Sequence, residues 1–334
     1  MIFATVEGGV KDYYIFKSGR IRRKDNSVII ETTDGNMPIP INDIDSLYLF
    51  GELDINTKAI NFLSKQQIVI HFFNYYGWYT GSLYPREYLL SGDILVKQVK
   101  AYLDMKERLL IAKEFVKAAI HGFKQNCKRY HEVSTDYIES FETLSQSLDK
   151  QKDIQALMGV EGNARDIYYS AFPLIIKQEI DFEKRVKHPP DNMINALISF
   201  CNSLVYSLVI KEIYRTQLNP TISYLHEPSY RRFSLALDIA EIFKPIFADR
   251  IIFNVLNTNQ INQQHFDKDL NYCYLKEDGR KIVVKTFDEK INKTIHHKKL
   301  KRNVSYQKLV RLELYKLMKH LLGEETYESL KVWW

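Results

Sequence analysis

Apolar and polar positions fall into two textures along this chain. Up to about residue 85 the apolar residues alternate with polar ones or come in short runs, the habit of strands. Asp12–Lys17 is rich in strand formers, Ser18 and Gly19 offer a turn, and Arg20–Glu31 reads as a returning strand. Thr33–Asn36 is another turn signal, and Pro38–Phe50 continues the pattern. Ile55–Lys65 predicts one short helix, which Asn56 or Thr57 can cap and in which Ile60 and Leu63 share a face. Ile68–Phe73 has the length of a buried strand, and Gly77, Gly81 and Pro85 punctuate the stretch after it.

Beyond Pro85 the period becomes helical. It covers 94–124, 150–175, 193–216, 232–245 and 305–322, with breaks at Pro189-Pro190, Asn219-Pro220 and Pro228. In the last segment Tyr306, Val310, Leu314, Leu317 and Leu321 form a continuous apolar stripe. The expectation is an α+β chain: a small N-terminal β-rich domain over 1–85, with a sheet edge suited to dimerisation, then a larger all-α domain over 86–334. Ile194–Ile210 carries no charge. It falls short of the roughly 20 residues of a membrane span and contains several Asn and Ser, so a buried core helix is expected.

Composition narrows the class. With 334 residues, 45% apolar and 26% charged, the chain is globular in kind and long enough for about two domains. Cys127, Cys201 and Cys273 lack the paired spacing of a zinc motif, and their odd number argues against a disulfide framework. A reducing, cytoplasmic setting is expected. Met1–Lys11 lacks the basic start and apolar run of a signal peptide.

The net charge of +6 names no partner, but its distribution changes the picture. Between Lys276 and Arg311, twelve Lys and Arg face four Asp and Glu, an excess of +8. The reading is phosphate neutralisation on nucleic acid, with Lys281, Lys285, Lys298, Lys299, Lys301 and Arg302 as candidate contacts. A solvated charged surface is the alternative. A smaller cluster, Arg20, Arg22, Arg23 and Lys24, lies in the strand region.

Three places carry candidate chemistry. On a helix over 154–172, Ile154, Leu157, Met158, Tyr168 and Phe172 share a face with Glu161 near its centre. A carboxylate there is costly unless it pairs, with Arg165 one turn on, or holds a cation. Gly159 and Gly162 flank it, where close approach of a ligand or another backbone would explain them. On the helix over 231–245, Asp238 and Glu241 sit together at the flank of the face made by Leu235, Ile239, Ile242 and Ile246. Two carboxylates so close repel unless something positive lies between them, and Mg²⁺ or Mn²⁺ prefers such ligands. A solvated face near Arg231, Arg232 or Lys244 is the alternative. His226, in a loop between Pro220 and Pro228, stands where it could complete a metal site.

Met158–Arg165 around Glu161, Leu218–His226 and Arg231–Pro245 running on to Asp249-Arg250 come in an order that resembles one family: the CRISPR-associated Cas1 integrases, which acquire new spacers. Leu49–Gly51 and the run from Ile68 through Gly77 and Gly81 to Pro85 resemble its β-domain, and Trp333-Trp334 resembles its subtype I-B branch. The resemblance implies a metal-dependent DNA endonuclease and integrase working by phosphoryl transfer. It implies that Glu161, His226 and Glu241 bind Mg²⁺ or Mn²⁺, with Asp238 the other catalytic acidic residue nearby. Many members carry Asp where this chain has Glu241. It also implies a homodimer that joins the small partner Cas2 around a DNA duplex. Two other readings stay open on the residues alone: a general metal-dependent nuclease on branched or single-stranded DNA, and a non-catalytic nucleic-acid scaffold.

Overall fold

The computed structural model describes residues 2–3, 10–86, 89–187, 189–228, 233–269, 272–297 and 299–333. Two compact units emerge: Met1–Tyr88 with Lys276–Lys293, and Leu89–Leu275 with Thr294–Trp334.

The first unit holds strands β1 (Ile2–Phe3), β2 (Lys11–Ile15), β3 (Gly19–Lys24), β4 (Ser27–Thr32), β5 (Gly35–Pro40), β6 (Ile44–Leu49) and β7 (Leu53–Ile55). Helix α1 (Thr57–Lys65), β8 (Val69–Phe73) and β9 (Tyr79–Leu83) come next. One sheet has the order β1-β2-β6-β8-β9, with β2, β6 and β8 parallel; the other has the order β5-β4-β3-β7. Inward residues of both sheets share one core: Ile15, Leu47, Leu49 and Ile70 from the first, Ile21, Val28, Ile30 and Ile39 from the second, closed by Phe62 and Leu63. The β8 run is apolar except for the buried His71 because both of its faces are covered, as in strands inside a parallel sheet. On that face Phe50 stacks on Phe16 and Phe73 at 4.6 and 4.3 Å.

The stretch Arg20–Glu31 differs from the expected single strand. It reverses at Asp25-Asn26, where Asp25 takes φ +52 and Lys24 pairs with Ser27. A two-residue hairpin of this kind matches strand twist, and Asp and Asn tolerate the left-handed region. Asn56, not Thr57, caps α1, its Oδ1 accepting from Ala59 N at 2.9 Å.

The second unit contains α2 (Gly92–Leu103), α3 (Met105–Cys127), α4 (Thr135–Ser147), α5 (Ile154–Ser170), α6 (Phe172–Ile175), α7 (Met193–Tyr214), α8 (Ser234–Phe243) and α9 (Arg250–Asn257). A π-helical turn, Pro245–Asp249, joins the last two. The expected helix over 94–124 is two, because Asp104 breaks α2 and caps α3 by accepting from Lys106 N and Glu107 N. Helix α3 is the central column, with α2, α4, α5 and α8 packed on it. At Gly122 an added Cβ would meet Pro245 Cβ at 2.7 Å, so the absent side chain lets α3 approach the π-turn. Helix α7 alone among the described residues is long and apolar enough to cross a membrane, yet 72% of its most apolar stretch is buried inside the unit. It is the core helix its uncharged run predicted.

After the hairpin β10 (Phe266–Asp269) and β11 (Tyr272–Leu275) comes α10 (Glu277–Asn292), which belongs to the first unit. This differs from the continuous domain expected over 86–334. The physical reason is that α10 is amphipathic: Val283, Val284, Phe287 and Ile291 are buried, Arg280 donates to Tyr75 O, and the Lys281 ammonium lies 5.9 Å over Phe16. The chain then returns through the hairpin β12 (Thr294–His297) and β13 (Arg302–Ser305) to α11 (Tyr306–Leu321), which packs on α7 and α2.

Candidate metal centre

Helix α5 presents Glu161 and Arg165 one turn apart. Arg165 Nε donates to Glu161 Oε1 at 2.9 Å, and its Nη2 bonds the same oxygen. That Nη2 also reaches Glu241 Oε2 on α8 at 2.5 Å. Glu241 Oε1 accepts from Lys244 Nζ, also at 2.5 Å. Two carboxylates from different helices therefore share one guanidinium nitrogen. Burial alone would raise the Glu241 pKa, but Arg165 and Lys244 outweigh it and hold the carboxyl well below the usual range. Arg165 is likewise kept charged against its burial, chiefly by Glu241.

The loop before α8 brings His226. Asp238, fully buried, accepts from Tyr224 N at 2.6 Å and Leu225 N at 2.9 Å through Oδ2. Its Oδ1 accepts from His226 N at 2.9 Å and contacts His226 Nδ1 at 2.8 Å. A carboxylate accepts only, so Nδ1 carries a proton, and in the neutral imidazole the lone pair is on Nε2. Nε2 takes no hydrogen bond from the described residues, and neither does Glu161 Oε2. Burial would lower the His226 pKa, yet the Asp238 bond and the charges of Asp238 and Glu241 carry it upward.

Gln98 and Arg108 fix the same loop from α2 and α3. Gln98 accepts from Asn219 N at 2.7 Å and donates to Asn219 O, while Arg108 donates to Tyr224 O at 2.9 Å and pairs with Glu227 at 2.6 Å. Neither was among the candidates. Their signal was a polar residue on the buried side of a helix, legible only once that side is known.

Several expectations change at this site. Met158 is 41% exposed rather than part of the buried face, because α5 turns it past the edge of the core. Beyond their own helix, Gly159 and Gly162 have no protein atom within 4 Å of a built Cβ, so no second backbone explains them. Arg231 and Arg232 lie outside the described residues. Asp238 uses both oxygens on the loop and offers none to a ligand. Among the described residues no three His, Cys, Asp or Glu side chains close into a finished ligand cage, because Arg165 and Lys244 lie on the two glutamates.

The basic run is divided. Lys281 and Lys285 lie on α10 of the first unit, where Lys281 pairs with Glu277 at 2.5 Å and Lys285 is exposed. Arg311 is engaged with the buried Glu212 at 2.6 Å. Lys299, Lys301 and Arg302 stand exposed at the tip of the β12–β13 hairpin; Lys298 lies outside the described residues.

The donor set fits a divalent cation. Two carboxylates converge on one positive centre, and the His226 imidazole lies within electrostatic reach of Glu241; carboxylate ligands suit Mg²⁺ and Mn²⁺.

Comparison with known proteins agrees with this architecture. The family profile described as CRISPR associated protein Cas1 matches residues 13–289. A CRISPR-associated endonuclease Cas1 of Thermodesulfovibrio yellowstonii is 52% identical over 326 residues, covering 97% of this chain and all of that protein. One from Fusobacterium nucleatum is 51% identical, covering 98% and 99%. The solved structure of a Cas1 protein from Thermotoga maritima superposes with a TM-score of 0.85 at 39% identity, over 96% of this chain and 99% of that one. With a β-rich start, a helical body and matches along nearly its whole length, this chain belongs to the Cas1 family.

Proposed function

We propose that this chain is a metal-dependent DNA endonuclease and integrase that inserts short DNA fragments into a CRISPR array, with Glu161, His226 and Glu241 holding Mg²⁺ or Mn²⁺. The observation that carries the reading is the convergence of Glu161 and Glu241 on one cationic centre, with a histidine, its Nδ1 already anchored, within electrostatic reach of Glu241. The names of the 52% and 51% identical relatives support endonuclease activity. In strand transfer a DNA 3′-hydroxyl attacks a phosphodiester: a new P–O bond forms, and the bond to the leaving 3′ oxygen breaks. The bound metal supplies Lewis-acid chemistry at that phosphate. Asp238 is a positioning residue, fixing the tautomer and direction of His226. Arg165 and Lys244 supply positive charge where the phosphate lies. Few side chains are needed, because phosphoryl transfer rests on positioning and electrostatics.

The exposed cations of the β12–β13 hairpin support duplex contact, and Lys285 adds another on the first unit. The partners are DNA, a second copy of the chain and the small protein Cas2; the assignment to subtype I-B rests on the Trp333-Trp334 resemblance alone.

The test is an integration assay with a short duplex, a repeat-bearing target, and Mg²⁺ or Mn²⁺. The wild type is expected to join strands. Glu161→Ala, His226→Ala and Glu241→Ala are expected to lose both cleavage and joining while duplex binding survives. Unchanged strand transfer by Glu161→Ala in Mn²⁺ would falsify the assignment. Cut strands without joined ones would mean a general nuclease, and tight DNA binding with neither metal binding nor cleavage would mean a scaffold.

A further inference from the structure

The clasp around Glu161 and Glu241 has a composition that a structural ion pair does not need. Two glutamates face two cations, Arg165 and Lys244, so the group is neutral as it stands. All four side chains keep some exposure, from 7% at Glu241 to 22% at Arg165, so the clasp borders solvent rather than sealing a core. On α5 a Cβ built at Gly159 or Gly162 would meet nothing beyond the helix within 4 Å, so this stretch of the helix is open to solvent. A further cation, Lys187, is exposed and takes no ion pair from the described residues. Burial lowers its pKa, and the positive charges of Lys244, Arg165 and Arg185 push the same way, with only Glu241 opposing. Nature tolerates cations crowded on one another when an anion comes to sit among them.

We propose that Arg165 and Lys244 are resident counter-cations of the metal centre: they neutralise Glu161 and Glu241 until a divalent cation displaces them, and Lys244, with Lys187 beside it, then contacts DNA phosphate. The inference rests on the metal site proposed above. The charge accounting favours it. A divalent cation entering a neutral clasp leaves two uncompensated positive charges, and the DNA backbone is the anion at hand. Without the cations, two carboxylates on facing helices would repel in a partly buried site. With them, the metal must compete, so metal binding is weaker than the bare ligand set allows. Arg165, bonded to both glutamates, is the firmer of the two; Lys244 touches only Glu241 through a flexible stem, and is the one that can swing away.

The experiment measures Mn²⁺ binding to the full-length protein without DNA, by electron paramagnetic resonance of the free ion, for wild type, Lys244→Gln, Lys244→Arg, Glu161→Ala and Glu241→Ala. Lys244→Gln is expected to bind Mn²⁺ about ten-fold more tightly, a change of about 1.4 kcal/mol. Lys244→Arg restores the clasp and returns the affinity to within about two-fold of wild type, a margin of about 0.4 kcal/mol. At saturating Mn²⁺, Lys244→Gln and Lys187→Gln should each raise the DNA concentration for half-maximal strand transfer several-fold. Unchanged or weaker Mn²⁺ binding in Lys244→Gln overturns the proposal while loss of binding in the two glutamate variants keeps the site. Wild-type Mn²⁺ affinity in Glu161→Ala and Glu241→Ala overturns both. If Lys244→Gln misfolds, Lys187→Gln still decides the phosphate half, since the Lys187 side chain makes no hydrogen bond or ion pair among the described residues.

Discussion

Asp238 acts through a loop rather than on a ligand. Three backbone N–H groups and one ring N–H converge on its carboxylate. Asp238→Asn would aim an amide N–H₂ at backbone donors, leaving at least one buried group unpaired, for a loss of about 1–3 kcal/mol in stability. It would also free the His226 ring, and Mn²⁺ affinity should fall about 10–100-fold by calorimetric titration. Undiminished Mn²⁺ affinity would show that His226 needs no anchor. A second buried carboxyl, Asp249 in the π-turn, behaves differently. Burial pushes it from 3.8 up to about 7, against the opposing pull of a Tyr168 hydrogen bond and of Arg165 and Lys244. A raised carboxyl pKa contributes stability that is fully present below the unfolded value and is lost as pH climbs through the folded one. Asp249→Asn removes the ionisation. Its melting temperature relative to wild type should therefore be higher at about pH 8.5 than at about pH 5; an offset independent of pH would rule out Asp249 as the titrating group.

At the scale of elements, α3 organises the site without contributing a ligand. Its Arg108 holds the His226 loop, and Gly122 lets the π-turn after α8 seat against it. Gly122→Ala would set a methyl against the Pro245 ring, an overpacking worth about 1–3 kcal/mol. The variant's melting temperature should drop, and because α8 carries both Asp238 and Glu241, strand transfer should fall with it. A melting temperature equal to wild type would mean the turn moves aside freely. Helix α5 shows the opposite economy of contact. Gly159 and Gly162 have no neighbour beyond the helix within 4 Å of a built Cβ, and Met158 is 41% exposed, so this stretch of α5 is packed on one side only.

For the whole molecule, the +8 segment is not one surface element. It splits between α10 in the first unit and the hairpin and α11 in the second, and Arg280, Lys281 and Arg311 are committed to protein partners. The hairpin tip carries exposed Lys299, Lys301 and Arg302. If they neutralise phosphates, replacing all three with Ala should reduce the slope of log affinity against log salt by about 2–3. Lys281→Ala should change it little. A salt slope unmoved by the triple replacement would take the hairpin off the DNA.

The α+β order, the helical periods of α7 and α11 and the burial of the uncharged run were legible in the sequence, because periodicity reports which face meets a core. So were the residue types of the site: a carboxylate on an apolar face, two more one turn apart, and a loop histidine between prolines. Short breaks were harder. Asp25-Asn26 and Asp104 each turn or cap the chain with one or two residues, too few to disturb a hydrophobic period. Only the tertiary structure decided how the charges are used. That Arg165 spans Glu161 and Glu241, 76 residues from the latter, that Asp238 anchors His226 instead of facing a ligand, and that α10 packs with the N-terminal sheets all depend on contacts between segments distant in the chain. Sequence spacing orders residues along one helix; it carries no information on which helix lies across from it.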